Sequence, residues 1–167
     1  MRRFIIIGVI LLSVSLIIIA YNTGTTKNEP KIDLKFDVSD LTDKDFESVG
    51  IKGAENATKN DFKNIEFTLD VKQSKKNSNR KISIPDIKKI VYSYDRDRYW
   101  YGEGYQQDNS QEMSANYEYK IVFYSKGLEN QAIKNIFNSA EVKVSWTTNV
   151  GENEERVFKL GDVIQFK

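Results

Sequence analysis

Aromatic and charged side chains that could form a binding site are concentrated in residues 92–105, YSYDRDRYWYGEGY. Tyrosine, tryptophan and arginine dominate protein–protein contacts, because they bury a large area at a small cost in side-chain entropy. The segment therefore predicts an exposed, glycine-containing binding loop. Its candidate binding residues are Tyr99, Trp100, Tyr101, Tyr105, Arg96 and Arg98.

The same rings also fit a purely structural role. If the segment were a regular strand, Tyr99 and Tyr101 would face opposite to Trp100, so at least one set would be exposed. In the structural interpretation, half of the rings form cross-strand pairs in the core, the others cover a sheet edge, and the arginines are solvated. Both interpretations remain open at this point.

Three carboxylates near the aromatic segment could support hydrolysis of a glycan. Glu103, Asp108 and Glu112 include candidates for an acid/base pair, although nothing in the sequence fixes their separation. The chain has no histidine and no cysteine, so it lacks the commonest general base, the commonest zinc ligands and any thiol nucleophile. We therefore predict a protein that is not an enzyme and has no cofactor or metal, with a carboxylate-dependent hydrolase as an alternative.

A basic stretch occupies residues 72–89, where Asp86 is the single acid. Its central patch could attract phospholipid head groups or the anionic polymers of a Gram-positive cell wall. The alternative, which the pattern favours, is a solvated hairpin tip whose lysines protect a sheet edge from pairing. The patch consists of Lys75, Lys76, Arg80 and Lys81.

The overall charge excludes one class of partner. Lys and Arg number 25 against 24 Asp and Glu, so the chain lacks the basic excess that neutralising phosphates requires. We therefore predict no nucleic-acid partner. Residues 37–47 contain several acids but lack the glycine that an EF-hand loop requires. These acids are therefore expected to be solvated and not to bind calcium.

The N-terminal residues predict a membrane segment. Residues 4–20, FIIIGVILLSVSLIIIA, are uncharged and would reach roughly 26 Å as a helix, close to the thickness of a bilayer core. Arg2 and Arg3 precede the run, so the positive-inside rule places the N-terminus in the cytoplasm and the following residues outside. We predict a signal anchor at 1–21 that holds the chain in the membrane through residues 4–21, and a flexible linker at 22–30. A signal peptide cleaved near Ala20 is the alternative.

The remaining residues, 31–167, predict one extracytoplasmic domain that is mainly β. Alternation of apolar and polar residues, as at Ile32, Leu34, Phe36 and Val38, indicates half-buried strands. Such strands are predicted at 31–38, 65–71, 82–95, 117–123, 142–146, 157–160 and 163–166, and one short amphipathic helix at 128–137. Residues 39–61 predict a loop with a short helical turn. About seven mainly antiparallel strands favour an immunoglobulin-like two-sheet sandwich, with a small β-barrel as the alternative.

The composition also resembles a type of protein rather than a family. The Lys-, Ile- and Asn-rich sequence, the absence of cysteine and the Arg-Arg leader are similar to small single-pass exported proteins of low-GC Gram-positive bacteria. We therefore predict a membrane-tethered extracytoplasmic module of a bacterial envelope that binds an envelope protein or an anionic wall polymer. The alternative is a structural or immunity-type partner of another membrane protein, in which the membrane helix itself makes contacts.

Overall fold

The computed structural model describes residues 29–50, 54, 56–109 and 111–167. The predicted anchor at 1–21 and most of the predicted linker lie outside these residues. Within the described ranges, no helix is long and apolar enough to cross a membrane. Glu29 and Pro30, the last two residues of the predicted linker, already contact the domain: Pro30 is buried, and Glu29 forms an ion pair with Arg156.

The larger of two sheets has five strands in the order β4-β5-β2-β1-β8. Neighbouring strands are antiparallel except β1 and β8, which are parallel. The strands are β1 Lys31–Asp40, β2 Phe62–Lys72, β4 Tyr99–Asp108, β5 Ser114–Tyr124 and β8 Ile164–Phe166. This order leaves β4 and β8 as the two edges of the sheet.

The smaller sheet has three antiparallel strands in the order β3-β6-β7. These strands are β3 Ser78–Ser83, β6 Glu141–Thr147 and β7 Asn153–Lys159. The predicted mainly β fold with two mainly antiparallel sheets is therefore confirmed. The two sheets of the described residues each have open edges, so the alternative of a closed barrel is wrong.

One apolar core combines residues of both sheets. On the larger sheet, Phe36 lies opposite Phe67, and the two rings pack edge to face with centroids 6.3 Å apart. Phe36 also packs on Phe137, at 5.0 Å, which follows the third helix. Val142, Val144 and Trp146 supply the inward face of β6, as their alternation predicts.

Four short helices connect and cover the sheets. They are α1 Asp43–Val49, α2 Ile87–Tyr94, α3 Asn130–Ile136 and α4 Leu160–Val163, with single 3-10 turns at Lys59–Asp61 and Arg96–Arg98. Helix α3 confirms the helix predicted from the spacing of apolar residues in 128–137. Helix α1 and the turn at Lys59–Asp61 account for the short helical turn expected within 39–61.

The strand predicted at 82–95 is wrong over most of its length. Only the first residues belong to β3, and α2 begins after Asp86, whose carboxylate caps the helix by accepting from the Lys89 amide at 2.9 Å. Ile87 and Val91 are buried on the core, and Ile90 packs beside them. This i, i+3, i+4 spacing is the period of a helix, and it determines the structure here.

A second, smaller apolar cluster lies on the outer face of the five-stranded sheet, the face turned away from the core. Leu41, Phe62 and Val122 form its buried centre. Phe46 of α1 and Trp100 of β4 pack against this centre. We call this group the outer cluster, and it explains why α1 folds over the sheet instead of extending into solvent.

Candidate binding surface around strand β4

Strand β4 carries the second half of the aromatic segment, residues 99–105, which the sequence predicted to be a loop. Its register with β5 is irregular: Tyr99 lies opposite Phe123, whereas Tyr101 lies opposite the adjacent Val122. Phe123 and Val122 are adjacent in β5, so their side chains are on opposite faces of the sheet. Their partners Tyr99 and Tyr101 are therefore on opposite faces as well. The expectation that they share one face is wrong, because this irregularity interrupts the alternation.

Tyr99 packs between the sheet and helix α2. Its ring stacks on Tyr92 with centroids 5.4 Å apart, and the Lys88 Nζ lies 4.9 Å from the Tyr99 ring and 5.5 Å from the Tyr92 ring. Burial raises the pKa of the Tyr99 hydroxyl. Tyr99 therefore joins the core to an exposed aromatic surface, combining the two roles that the sequence left open.

Trp100 is held on the outer face of the sheet. Its ring packs against Phe62 at 5.3 Å and against Tyr124 at 6.2 Å. The indole Nε1 donates a hydrogen bond to the Gly50 carbonyl at 3.0 Å. Trp100 is therefore half-buried in the outer cluster, with its orientation fixed by a polar contact.

These rings line one groove, which we call the aromatic groove. Its volume is about 610 Å³, and its walls are Ala54, Tyr92, Arg96, Asp97, Tyr99, Trp100 and Tyr124. Three of the six predicted binding residues, Arg96, Tyr99 and Trp100, therefore meet in one place. Tyr92, which belongs to the aromatic segment but not to the six predicted residues, also lines the groove, and Tyr124 joins it from β5, distant in sequence.

Tyr101 and Tyr105 lie on the outer face of β4 and are 53% and 56% exposed. Their hydroxyls hydrogen-bond to neighbours two residues along the strand, Glu103 and Gln107. With Tyr92 and Tyr94, they make four of the seven exposed large hydrophobic side chains among the described residues. Exposed aromatic side chains are thus concentrated in residues 92–105, on helix α2 and on the outer face of β4.

Arg98 differs from its neighbour Arg96, although the sequence grouped them together. Its Nε donates to Asp95 at 3.1 Å, and its Nη1 donates to the carbonyls of Tyr124 and Lys126 at 3.0 and 3.1 Å. Its side chain is only 18% exposed. Arg98 therefore joins the 3-10 turn to the end of β5, and these contacts leave it little capacity to bind a ligand.

A second cavity lies on the inner face of β4, and we call it the edge pocket. Gly102 and Gly104 face Ile121 and Tyr119 across the β4–β5 ladder, and these residues line a space of about 390 Å³. The Tyr99 hydroxyl and the Tyr119 ring already occupy the positions that side chains on Gly102 and Gly104 would take. Residues 84–88 form its other wall. The Gly-x-Gly spacing in an extended segment was the sequence signal for this close approach.

Arg80 does not belong to an exposed basic patch, so this part of the prediction is wrong. Its side chain is 3% exposed, and its Nη2 donates to Asp108 Oδ1 at 2.5 Å. Its Nη1 donates to the Glu112 carbonyl at 3.1 Å, which ties β3 to the loop after β4. Lys75, Lys76 and Lys81 are exposed, but the predicted hairpin is wrong, because β2 and β3 belong to different sheets and do not pair.

Two of the three candidate catalytic carboxylates lie on opposite faces of the sheet. Register places Glu103 on the outer face of β4 and Asp108 on the inner face. Asp108 Oδ2 accepts a hydrogen bond from the Tyr117 hydroxyl at 2.8 Å; burial, followed by this hydrogen bond, raises the pKa of Tyr117. Glu112 accepts from Gln107 and Asn109. Among the described residues there is no group of three or more potential metal-ligating side chains.

Comparisons of the chain with protein-family models, with curated proteins and with solved structures found no match. The chemistry of β4 and of the residues around it is therefore the basis for proposing a function.

Proposed function

We propose that this protein is a non-catalytic protein-binding module, and that the surface around β4 contacts its partner. The observation that carries the proposal is the concentration of exposed tyrosines in residues 92–105, beside a groove lined by four aromatic rings. Tyrosine and arginine are the residues that most often dominate the energy of protein interfaces. A tyrosine-rich patch at the open edge of a sheet is accessible to a partner without rearrangement of the core.

The charges near the groove favour a protein over an anionic wall polymer. Arg96 and Asp97 both line the groove, so its polar rim has mixed sign. The basic patch that would attract a polyanion is weakened, because the Arg80 guanidinium is paired with Asp108. Mixed charges around aromatic rings are typical of protein interfaces, which combine a desolvated centre with a polar rim.

We further propose that the module works outside the cytoplasm of a Gram-positive-type cell, tethered by residues 1–21. The uncharged run at 4–20 and the preceding arginines support this location. The two sheets are proposed to pack as a sandwich that is immunoglobulin-like in its general architecture. The single core built from both sheets supports that description.

The test is capture of a partner from an envelope extract by the full chain in mild detergent. Tyr92→Ser/Arg96→Ser removes two exposed side chains of the groove and should weaken capture at least about tenfold. Tyr99 and Trp100 are unsuitable for substitution because they pack on the two apolar clusters. The melting temperature of the variant should fall by only about a few degrees.

The matched control is Val157→Ser/Lys159→Ser on β7, which also removes one exposed apolar side chain and one cation. It should capture the partner as the wild type does. Equal capture by both double variants would refute the groove as the binding site. Capture of an anionic polymer in place of a protein would refute the proposed class of partner.

A further inference from the structure

We infer that the partner binds as an added β-strand along the open edge of β4, placing a bulky apolar side chain in the edge pocket and a lysine or arginine against Glu103. This inference rests on the proposed function, because it specifies how a protein partner would engage the same surface. It identifies the ligand as an extended peptide segment with an apolar residue adjacent to a basic one.

Beyond the irregularity between Tyr99 and Tyr101, the β4 edge lacks the usual protection against pairing. Among the described residues, β4 is paired on one side only, with β5. Over its ten residues, YWYGEGYQQD, it has no lysine, no arginine and no proline. Natural sheets usually protect an edge of this length with such residues, because its free N–H and C=O groups are a template for another strand. β4 is therefore open to strand addition.

The edge pocket fits a side chain from such a strand. Strands in a sheet lie about 4.8 Å apart, so a residue opposite Gly102 or Gly104 would project beside a position that has no side chain. In the edge pocket it would contact the Tyr99 and Tyr119 rings, which cover the two glycines on this face. Ile84 and Ile87 on the opposite wall would then contact it from the other side. Filling the pocket in this way requires a large apolar side chain.

Charge complementarity specifies the neighbouring residue. Glu103 lies between the two glycines and faces the outer side of the sheet, so the residue next to the pocket side chain would lie opposite it. Lys120 is opposite Glu103 in β5 but forms its ion pairs with Asp45 and Glu66, at 3.6 and 3.8 Å. Among the described residues, no cation forms an ion pair with Glu103, which is exposed.

The exposed tyrosines support the same assignment. Tyr101 and Tyr105 flank Glu103 on the outer face of β4. Their ring faces can contact the aliphatic stem and the cation of a lysine or arginine on an adjacent strand. The outer face thus selects basic residues, while the inner face selects one apolar residue.

The direct test uses synthetic peptides and the full chain in mild detergent, with fluorescence anisotropy as the measurement. The probe has lysine at every second position, one central phenylalanine and threonine elsewhere. Exchanging the phenylalanine for alanine should weaken binding at least about tenfold, since the pocket would be left empty. Exchanging the lysines for glutamates should weaken it at least as much.

Two N-methylated probes distinguish strand addition from general contact. Successive amides of a strand point to opposite edges, so one methyl group faces β4 and the other faces solvent. Methylation of the central residue and of its neighbour should therefore give unequal losses, with one probe binding nearly as well as the parent. Equal affinities for the two methylated probes would overturn the inference.

Charge reversal on the protein completes the test. Glu103→Lys should weaken binding of the lysine probe about tenfold and restore binding of the glutamate probe. Glu155→Lys, at an exposed position on the open edge of the other sheet, is the matched control and should change neither affinity. Equal effects of the two substitutions would indicate attraction by net charge alone and would overturn the inference.

Two other outcomes separate this inference from the proposed function. If no probe binds while Tyr92→Ser/Arg96→Ser still abolishes capture, strand addition is wrong and the binding module stands. If the full chain is a dimer that Glu103→Lys dissociates, the edge belongs to a second copy of the chain, which also overturns a peptide partner.

Discussion

Strands β4 and β7 both lie at the edge of a sheet, yet their chemistry differs. β7, with the sequence NEERVFK, has four charged residues among its seven, which discourages pairing with another strand. β4 has two acids among ten residues, and one of them, Asp108, is paired with Arg80. The same topological position is therefore protected in one sheet and left open in the other. The open edge is the surface at which we proposed that a partner binds.

Two arginines show how differently the edges are held. Arg80 reaches from β3 to the loop that follows β4, and its guanidinium makes contacts with one carboxylate and three backbone carbonyls. Arg156 of β7 pairs with Glu29, and its side chain is 45% exposed. The open edge, β4, is thus fixed by the buried guanidinium of Arg80. The ion pair at the protected edge, β7, is exposed and therefore screened by solvent.

The largest expected effect is the loss of the Arg80 contact. Arg80→Met should lower the free energy of unfolding by about 2–4 kcal/mol, because Asp108 and several carbonyls lose their donor. Urea denaturation of the full chain measures the difference. Arg156→Met, the matched change at the other edge, should cost less than about 1 kcal/mol. Equal losses of unfolding free energy for the two variants would show that Arg80 and Arg156 stabilise the protein to the same extent, which would contradict this comparison.

A smaller effect is expected from adding a side chain at Gly104, where the Tyr119 ring covers the backbone. A Cβ atom on Gly104 would lie 2.4 Å from Cδ1 of Tyr119, so Gly104→Ala should displace that ring and cost about 1–3 kcal/mol. The added Tyr119→Leu substitution should recover part of the loss, since the crowded ring is then gone.

Gly151→Ala, at the turn before β7, has no heavy atom within 4 Å of the new Cβ, so its cost should arise only from its φ of +87°. Thermal unfolding of the single and double variants measures this coupling, and strict additivity of Gly104→Ala and Tyr119→Leu would contradict steric crowding.

The smallest effect is expected at Tyr117, whose hydroxyl donates a hydrogen bond to Asp108. The pKa of Tyr117 is raised in the folded state, so its contribution to stability is present below the unfolded value, about 10, and is lost as pH rises above it. Tyr117→Phe should cost about 1–2 kcal/mol at neutral pH, through the lost hydrogen bond. Its unfolding free energy should then fall less steeply than that of the wild type above about pH 10. Equal slopes in urea titrations across this range would contradict the role of Tyr117.

Local patterns predicted the elements whose apolar period is unambiguous. The alternation Ile32, Leu34, Phe36, Val38 gave β1, and the apolar spacing in 128–137 gave α3. Helix α2 was missed because Ile90, Tyr92 and Tyr94 also alternate with period two, whereas the decisive cap, Asp86, is a single residue. β4 was missed as a strand because its inward positions include glycines, so the apolar alternation that marks a strand is absent.

The candidate site was predicted in composition but not in arrangement. Residues 92–105 were identified as the aromatic segment, and Arg96, Tyr99 and Trp100 do line a common groove. The contributions of Tyr124 and Ala54 depend on residues distant in sequence. The edge pocket likewise needs β5 and residues 84–88 beside the β4 glycines, so no local window contained it.

By itself, the sequence determined which residue types are available: aromatic rings clustered in one segment, no histidine, no cysteine, and near-balanced charge. It could not separate Arg80, Arg96 and Arg98, which are equally polar in any local window. Only the tertiary structure buried Arg80 against Asp108, 28 residues away, tied Arg98 to the end of β5, and left Arg96 exposed in the groove. The physical reason is that the burial of a charge depends on partners brought together by long-range strand pairing, which no local pattern encodes.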